Sequence, residues 1–239
     1  MKVLLMFSGG KDSFIAACKL VEQGYKTYLM MFNSGCIASE ENVLHSSQRL
    51  RKRYGNEIEM IGIRSTMATH LRISRPWKEF SVRDLSSRYP DVTGVQSQCF
   101  FCQTSMWIEA IAYCKAHNIN KIATGYKSSD TFCTGNKQYL DFIREIASEY
   151  NIEVELPMWN FIDTKDGLDK RDQEMCARRF LPSVLEPKCT VGLPAKHKIS
   201  DKEVEQLINY IKEYIDYIEM INKSSEILKH IKITNKSLE

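Results

Sequence analysis

Short, continuously apolar runs recur along the chain at 2–7, 26–32, 57–63, 121–124 and 152–156, and the intervening stretches space their apolar residues three and four apart. Runs of that length without polar alternation predict strands buried on both faces, and the longer period predicts helices. The first helix is expected over 12–23, with Phe14, Ile15, Cys18 and Val21 on one side, and others over 39–54 and 103–117. This alternation implies an α/β fold, a Rossmann-like parallel sheet of about five strands with helices on both faces.

Residues 65–98 break the rhythm. Arg72, Arg75, Lys78, Arg83 and Arg88 stand there among Trp77, Phe80 and Tyr89, with Pro76 and Pro90. The stretch reads as an insertion or lid over the active face, or equally as a solvated connection pinned down by its aromatics. From Ser200 the pattern Ser200-Asp201-Lys202-Glu203 is a capping box, and Val204, Leu207, Ile208, Ile211, Ile215 and Ile218 form one stripe of a long amphipathic helix. The chain thus divides into a core domain over 1–199 and a C-terminal amphipathic helix and tail over 200–239. Packing of the stripe on its own domain is the default. Tyr210, Tyr214 and Tyr217 widen the apolar face and keep a homodimer contact open. Beyond about 222 the sequence turns polar and basic and is expected to fray.

Composition narrows the classes. With 239 residues, 43% hydrophobic and 26% charged, the chain is long enough for a substantial core and ordinary for a soluble protein. No stretch approaches the roughly 20 apolar residues of a membrane helix, so no membrane partner is expected. The opening apolar run is about 5 residues long and ends in a glycine turn, which reads as a buried strand rather than a signal peptide, and a cytoplasmic location is the expectation. A net charge of +3 does not identify a nucleic-acid binder. The basic run Arg49-Leu50-Arg51-Lys52-Arg53 falls at a predicted helix end, where cations suit the dipole.

The first strand runs into Ser8-Gly9-Gly10-Lys11-Asp12-Ser13. A glycine-rich turn between strand and helix aims backbone N–H groups and the helix dipole at an anion. Ser8 and Ser13 can donate hydroxyl hydrogen bonds, Lys11 supplies charge, and Asp12 can help hold Mg2+ near phosphates. The spacing is neither a Walker A loop nor a dinucleotide fingerprint.

Placed after the first strand, Ser-Gly-Gly-x-Asp-Ser resembles the PP-loop ATP pyrophosphatases. The resemblance implies cleavage of ATP between its α and β phosphates, transfer of AMP to a substrate oxygen and release of pyrophosphate. Met30-Met31-Phe32-Asn33 ends the second strand, where such enzymes receive the adenine, and Ile122-Ala123-Thr124-Gly125-Tyr126 resembles their Ala-Thr-Gly-His segment. Tyr126 stands where the histidine would be, so no histidine role carries over, and Asp130 matches the acidic residue that follows. The nucleotide-binding set so implied is Ser8, Gly9, Gly10, Lys11, Asp12, Ser13, Phe32, Asn33, Thr124, Gly125 and Asp130.

Eight cysteines without a secretory segment are expected as thiols or metal ligands. Cys99-Phe100-Phe101-Cys102, just ahead of the 103–117 helix, can chelate one centre, and Cys189 in Lys188-Cys189-Thr190 is a candidate third thiolate. Thiolates select zinc, copper(I) or iron–sulfur clusters; structural Zn2+ wants four ligands, whereas three cysteines on a cubane leave one iron open. A metal-free dithiol that carries a persulfide is the alternative. Cys18 and Cys114 fall on apolar helix faces and are assigned to packing, and Cys36, Cys133 and Cys176 stay outside the assignment. His45, His70, His117, His197 and His230 show no ligand spacing. His197, between Lys196 and Lys198, reads as a solvated basic turn or as a contact to substrate phosphate.

The cysteine pattern resembles the cluster-dependent PP-loop enzymes that thiolate transfer RNA. It implies a sulfurtransferase that adenylates a carbonyl oxygen of a nucleobase, in tRNA or a small molecule, and replaces it with sulfur through a [4Fe-4S] cluster on Cys99, Cys102 and Cys189. Lys11 and Asp12 join those cysteines as catalytic residues, and sulfide or a persulfide carrier protein is the donor. Two rivals are an amide-forming ligase that uses ammonia, with Zn2+ or no metal at the cysteines, and a nucleotide- or RNA-binding protein without turnover.

Overall fold

The computed structural model describes residues 1–35, 40–162, 169–182 and 198–230, together with the backbone of the short strands at 37–38, 164–165, 168 and 188–189. In chain order the elements are β1 (Lys2–Met6), α1 (Lys11–Glu22), β2 (Lys26–Asn33), β3 (Ile37–Ala38), α2 (Glu40–Tyr54), β4 (Ile58–Ser65), α3 (Met67–Glu79), α4 (Val82–Arg88) and α5 (Gly94–His117). They continue with β5 (Lys121–Thr124), α6 (Lys137–Ser148), β6 (Glu153–Glu155), β7 (Thr164–Lys165), β8 (Leu168–Asp169), α7 (Lys170–Ala177), β9 (Lys188–Cys189), α8 (Asp201–Tyr214) and α9 (Tyr217–His230).

The main sheet has the order β4-β2-β1-β5-β6, and every neighbouring pair is parallel. This is the doubly wound α/β arrangement, and its order reverses between β1 and β5, so a crevice opens beyond the carboxyl ends of those two strands. Strand alternation sorts the core into two layers. Val3, Leu5 and Phe7 face α1, α2 and α7, where Phe14, Leu20, Val43, Leu50 and Met175 are buried. Leu4 and Met6 face the larger layer of α3, α5, α6, α8 and α9.

Residues 65–98 form α3, α4 and the first turn of α5, and their aromatics join a cluster with the C-terminal helices. The Trp77 ring lies 4.8 Å from Tyr89, 5.4 Å from Phe101 and 5.1 Å from Tyr210. The stripe expected on one long C-terminal helix is divided between two. The capping box at Ser200 opens α8 as the pattern requires, but Ile215 is extended and the Asp216 carboxylate accepts from Glu219 N (2.8 Å), which starts α9. Residues 222–230, expected to fray, complete that helix. Glu109, buried in α5, accepts from Arg64 Nε (2.7 Å) on β4, Thr69 Oγ1 (2.5 Å) on α3 and Ser224 Oγ (2.7 Å) on α9, so a satisfied buried carboxylate anchors the last helix. Among the described residues no helix is long and apolar enough to cross a membrane.

Candidate active site

The glycine loop is shaped by two close approaches. Phe7 N donates to Met30 O (2.8 Å), which prolongs the β1–β2 pairing, and the chain then turns through Ser8 to Gly10 into α1. Gly9 has φ +78°, and a β-carbon there would sit 2.9 Å from Val43 Cα, so only glycine fits. Ser13 Oγ donates to Gly10 O (3.0 Å), and Ser8 Oγ lies 3.2 Å from Ser13 Oγ and 3.4 Å from Gly10 N. Gly10 caps α1 without a side-chain acceptor, which leaves first-turn N–H groups for an incoming anion. Across the switch point, Gly125 packs directly on this turn.

Between the loop and β5 lies a cleft of about 260 Å³. Ser8, Asp12 and Ser13 form one wall, Met6, Phe7 and Phe32 an apolar side, Gly125, Asp130 and Thr134 the far edge, and Gln103, Met106 and Tyr126 the wall toward α5. An apolar slot beside hydroxyls and helix N–H groups can take a base at one end and phosphates at the other.

Charge is concentrated at the phosphate end. Lys127 is 4% exposed and its Nζ lies 2.9 Å from Asp12 Oδ2. Asp12 Oδ1 is buried and has no hydrogen-bond partner. Arg171 Nη1 stands 3.7 Å from Asp12 Oδ2, while Lys11 Nζ turns to Asp172 (2.6 Å) and Asp169 (3.3 Å). The Asp172 carboxylate and its neighbour Asp169 hold Lys11 above the usual lysine range against the opposing effect of burial. Burial pushes the Asp130 carboxyl up, opposed by the Lys127 backbone N–H (3.1 Å) and charge. Among the described residues four carboxylates, Asp12, Asp130, Asp169 and Asp172, thus meet three cations, Lys11, Lys127 and Arg171. Polyphosphate entering such a site requires an added cation. The orphaned Asp12 Oδ1, with Asp130 across the cleft, fits Mg2+, which takes few carboxylates and keeps several waters.

The cysteine pair lies inside α5 rather than ahead of it. Thr93 caps the helix, its side chain accepting from Gln96 N (3.3 Å), and the helix runs unbroken to left-handed Asn118. Buried Gln96 and Ser97 interrupt the apolar pattern without interrupting the helix. Cys99 and Cys102 therefore stand three apart on one face. Cys102 is 9% exposed, with its Sγ 2.7 Å from Ser34 Oγ. Burial, then the thiols of Cys133, Cys99 and Cys102, drive the Tyr126 phenol far above its ordinary value. Tyr126 thus stays a neutral donor, and its hydroxyl bonds Gln103 Oε1 at the cleft wall. The backbone of Cys189, on β9, pairs with Ile37 on β3, a short step beyond Ser34. The side chains of Cys189 and Cys36, and all of His197, lie outside the described residues. Among the described residues no group of three His, Cys, Asp or Glu converges to hold a metal.

No protein-family model and no curated protein sequence matches this chain. Solved structures do. One, described as a predicted subunit of tRNA methyltransferase from Methanocaldococcus jannaschii, is 19% identical with a TM-score of 0.44, over 83% of this chain and 100% of that one. Another, an NMN synthetase from Francisella tularensis, is 13% identical with a TM-score of 0.47, over 98% of this chain and 89% of that one. Both are likenesses of overall fold.

The loop and sheet topology agree with the PP-loop resemblance. Of the residues it implies, Ser8, Asp12, Ser13, Phe32, Gly125 and Asp130 line the cleft. Gly9 and Gly10 shape the turn, and Gly9 O accepts from Ser46 Oγ (3.0 Å). Asn33 is instead engaged with Glu40 (3.1 Å) and Gly35 N (2.8 Å), and Thr124 is fully buried, accepting from Tyr126 N (3.2 Å). Cys18 and Cys114 are buried in the two core layers; burial lifts the Cys18 thiol to about 11 and that of Cys114 well above its ordinary value. Lys127, Asp169, Arg171 and Asp172 carry no motif signal, and only the pairing of charges across long sequence separations reveals them; Gln103 is likewise silent and shows itself through its bond to Tyr126.

Proposed function

We propose that this chain is an ATP-dependent PP-loop enzyme that adenylates a carbonyl oxygen of a nucleobase, in tRNA or a small molecule, and exchanges it for sulfur. The observation that carries this reading is a single cleft with the phosphate loop on one wall and, on the other, Gln103 and Tyr126 beside the Cys99/Cys102 face of α5.

In this reading Met6 and Phe32 flank the adenine while the loop N–H groups, Ser8 and Ser13 hold the phosphates. Asp12 and Asp130 would hold Mg2+, which supplies the positive charge the site lacks. The acceptor carbonyl oxygen attacks the α-phosphorus, the bond to the bridging oxygen breaks, and its electron pair leaves with pyrophosphate. Preorganised N–H groups and Lys11 stabilise that charge. Sulfur then attacks the activated carbon and AMP departs with the former carbonyl oxygen.

In the first version Cys99 and Cys102, three apart on one face of α5, would hold a [4Fe-4S] cluster together with Cys189, and the cluster would supply sulfur drawn from free sulfide or a persulfide carrier protein. In a second version, without metal, one thiol of the pair takes the outer sulfur of a carrier protein's persulfide and the carrier leaves as its thiol; the terminal sulfur attacks the activated carbon as AMP departs, and the other thiol then closes a Cys99–Cys102 disulfide that frees the thiocarbonyl product. The test is twofold. Labelled sulfur, supplied as sulfide or as the persulfide of a carrier protein, should enter the product, and labelled ammonia should not. Anaerobically purified protein should contain iron and inorganic sulfide; if sulfur from the labelled carrier persulfide is incorporated without them, the metal-free version holds, and nitrogen incorporation instead defeats both.

A further inference from the structure

The phosphate loop is closed on its outer side by a segment some 160 residues away in sequence. Asp169 caps α7, accepting from Arg171 N (2.9 Å), and its two oxygens each take one nitrogen of the Arg171 side chain, Nε and Nη2, at 3.2 Å. Nη1 of the same guanidinium lies 3.7 Å from Asp12 Oδ2. On the same segment Asp172 and Asp169 hold Lys11. The segment is not a loose flap. Along α7 and just past its end, Met175 is buried, the Phe180 ring meets Phe14 edge-on at 4.9 Å, and Arg178 grips Glu22 (2.8 and 3.0 Å). Arg171 and Lys11 are therefore held against the loop by Asp169 and Asp172.

We infer that Arg171 contacts the β- and γ-phosphates of ATP and takes up the charge of the departing pyrophosphate, with Asp169 and Asp172 as the counter-ions that hold Arg171 and Lys11 ready for it. This rests on the adenylation reading. Arginine suits this role because its charge is permanent and its planar fork can bridge a carboxylate and a phosphate. Lys127 is less suited, being almost wholly buried against Asp12. When the bond from the α-phosphorus to the bridging oxygen breaks, its electron pair stays on pyrophosphate, and a cation there lowers the barrier. The α-phosphate remains with the acceptor, so AMP, which lacks the β- and γ-phosphates, would make no contact with Arg171.

The test separates the two halves of ATP. Mg2+-ATP, Mg2+-pyrophosphate and AMP are each titrated calorimetrically into the wild-type chain and into Arg171→Ala, Arg171→Gln and Asp172→Asn. Loss of one charge-assisted contact predicts that both Arg171 variants bind ATP and pyrophosphate about tenfold more weakly, with AMP within about twofold. Arg171→Gln, which retains the aliphatic stem and a polar end without the charge, guards against a packing artefact. Asp172→Asn, which releases Lys11, should tighten pyrophosphate several-fold. Equal weakening of AMP and pyrophosphate would reduce Arg171 to a structural role, and unchanged pyrophosphate binding in both variants overturns the inference while leaving the adenylation reading intact. A wild-type chain that binds none of the three overturns the adenylation reading and this inference together.

Discussion

Gly125 rests against Ser13: a β-carbon on Gly125 would stand 2.8 Å from the Ser13 backbone nitrogen and 2.9 Å from the Asp12 carbonyl carbon. Two strand ends and a helix start meet there with no room for a methyl group, and neither obstacle is a side chain that can rotate away. Gly125→Ala should destabilise the fold by about 1–3 kcal/mol through overpacking and lower ATP affinity at least about tenfold by parting β5 from α1. Gly94, with nothing within 4 Å of its added β-carbon, is the control, and Gly94→Ala should leave both melting temperature and nucleotide titration near wild type.

Asp12 joins the loop to the charges around it. Its Oδ2 neutralises Lys127 and its Oδ1 is left without a partner. Asp12→Asn keeps the shape but removes the charge, so Mg2+-dependent release of pyrophosphate should fall about 100-fold or more. A wholly buried pair broken at one end costs about 3–5 kcal/mol. The Asp12 side chain is 26% exposed, so chemical denaturation should show a smaller loss, about 1–2 kcal/mol. Activity retained within a few-fold would remove Asp12 from the metal site.

The main sheet and phosphate loop were legible in the sequence because both rest on local signals: apolar runs of strand length, and a glycine turn between strand and helix. The start of α5 was not legible, since Gln96 and Ser97 are polar residues that the fold buries, and a pattern rule treats them as helix exterior or loop. The break at Ile215 was hidden for the opposite reason, because the apolar spacing continues across it and only the Asp216 cap betrays it. Half of the charged site was invisible as well. Lys11 and Asp172 are ordinary surface residue types whose pairing exists only after α7 packs on α1.

Asp169 gives that pairing a signature in acid. Burial alone would raise its carboxyl, but the Arg171 side chain and backbone N–H, together with Lys11, prevail and bring it down to about 2. A carboxylate depressed in the folded state contributes stability that is present above its unfolded value, roughly 3.9, and lost as pH falls through the folded value. Between pH 4 and pH 2 the wild-type melting temperature should therefore drop more steeply than that of Asp169→Asn, while the two curves run parallel from pH 5 to pH 7. Parallel curves throughout would show that the Asp169 contacts do not persist in solution.

The cysteines should separate by role. Cys102→Ala and Cys99→Ala should abolish incorporation of labelled sulfur while ATP titrates as in the wild type. Cys114→Ala, at a position buried within α5, should cost about 1–2 kcal/mol in stability and spare sulfur incorporation. Sulfur incorporation that survives in Cys99→Ala would exclude that thiol from the transfer.

Tyr210 closes a gap that Pro76 opens. Proline inside α3 has no N–H, and its ring pushes the preceding turn apart. The Tyr210 hydroxyl enters the opening, donating to Ile73 O (2.6 Å) and accepting from Trp77 N (2.9 Å), the two groups that would bond each other in an unbroken helix. Tyr210→Phe keeps the ring in its aromatic cluster but orphans both groups in the interior, where each unsatisfied partner costs about 1–3 kcal/mol. A total of about 2–6 kcal/mol should lower the melting temperature by roughly 4–24 °C in a chain of this length. Nucleotide affinity should change less than about twofold, because the Tyr210 hydroxyl bonds α3 and the ring, which phenylalanine retains, packs on Trp77, Tyr89, Phe101 and Tyr214 rather than on the phosphate loop. A melting temperature unchanged in Tyr210→Phe would mean that solvent reaches the α3 kink and replaces the hydroxyl. A loss of ATP affinity equal to the loss of stability would instead mean that the α3 and α8 packing sets the width of the cleft.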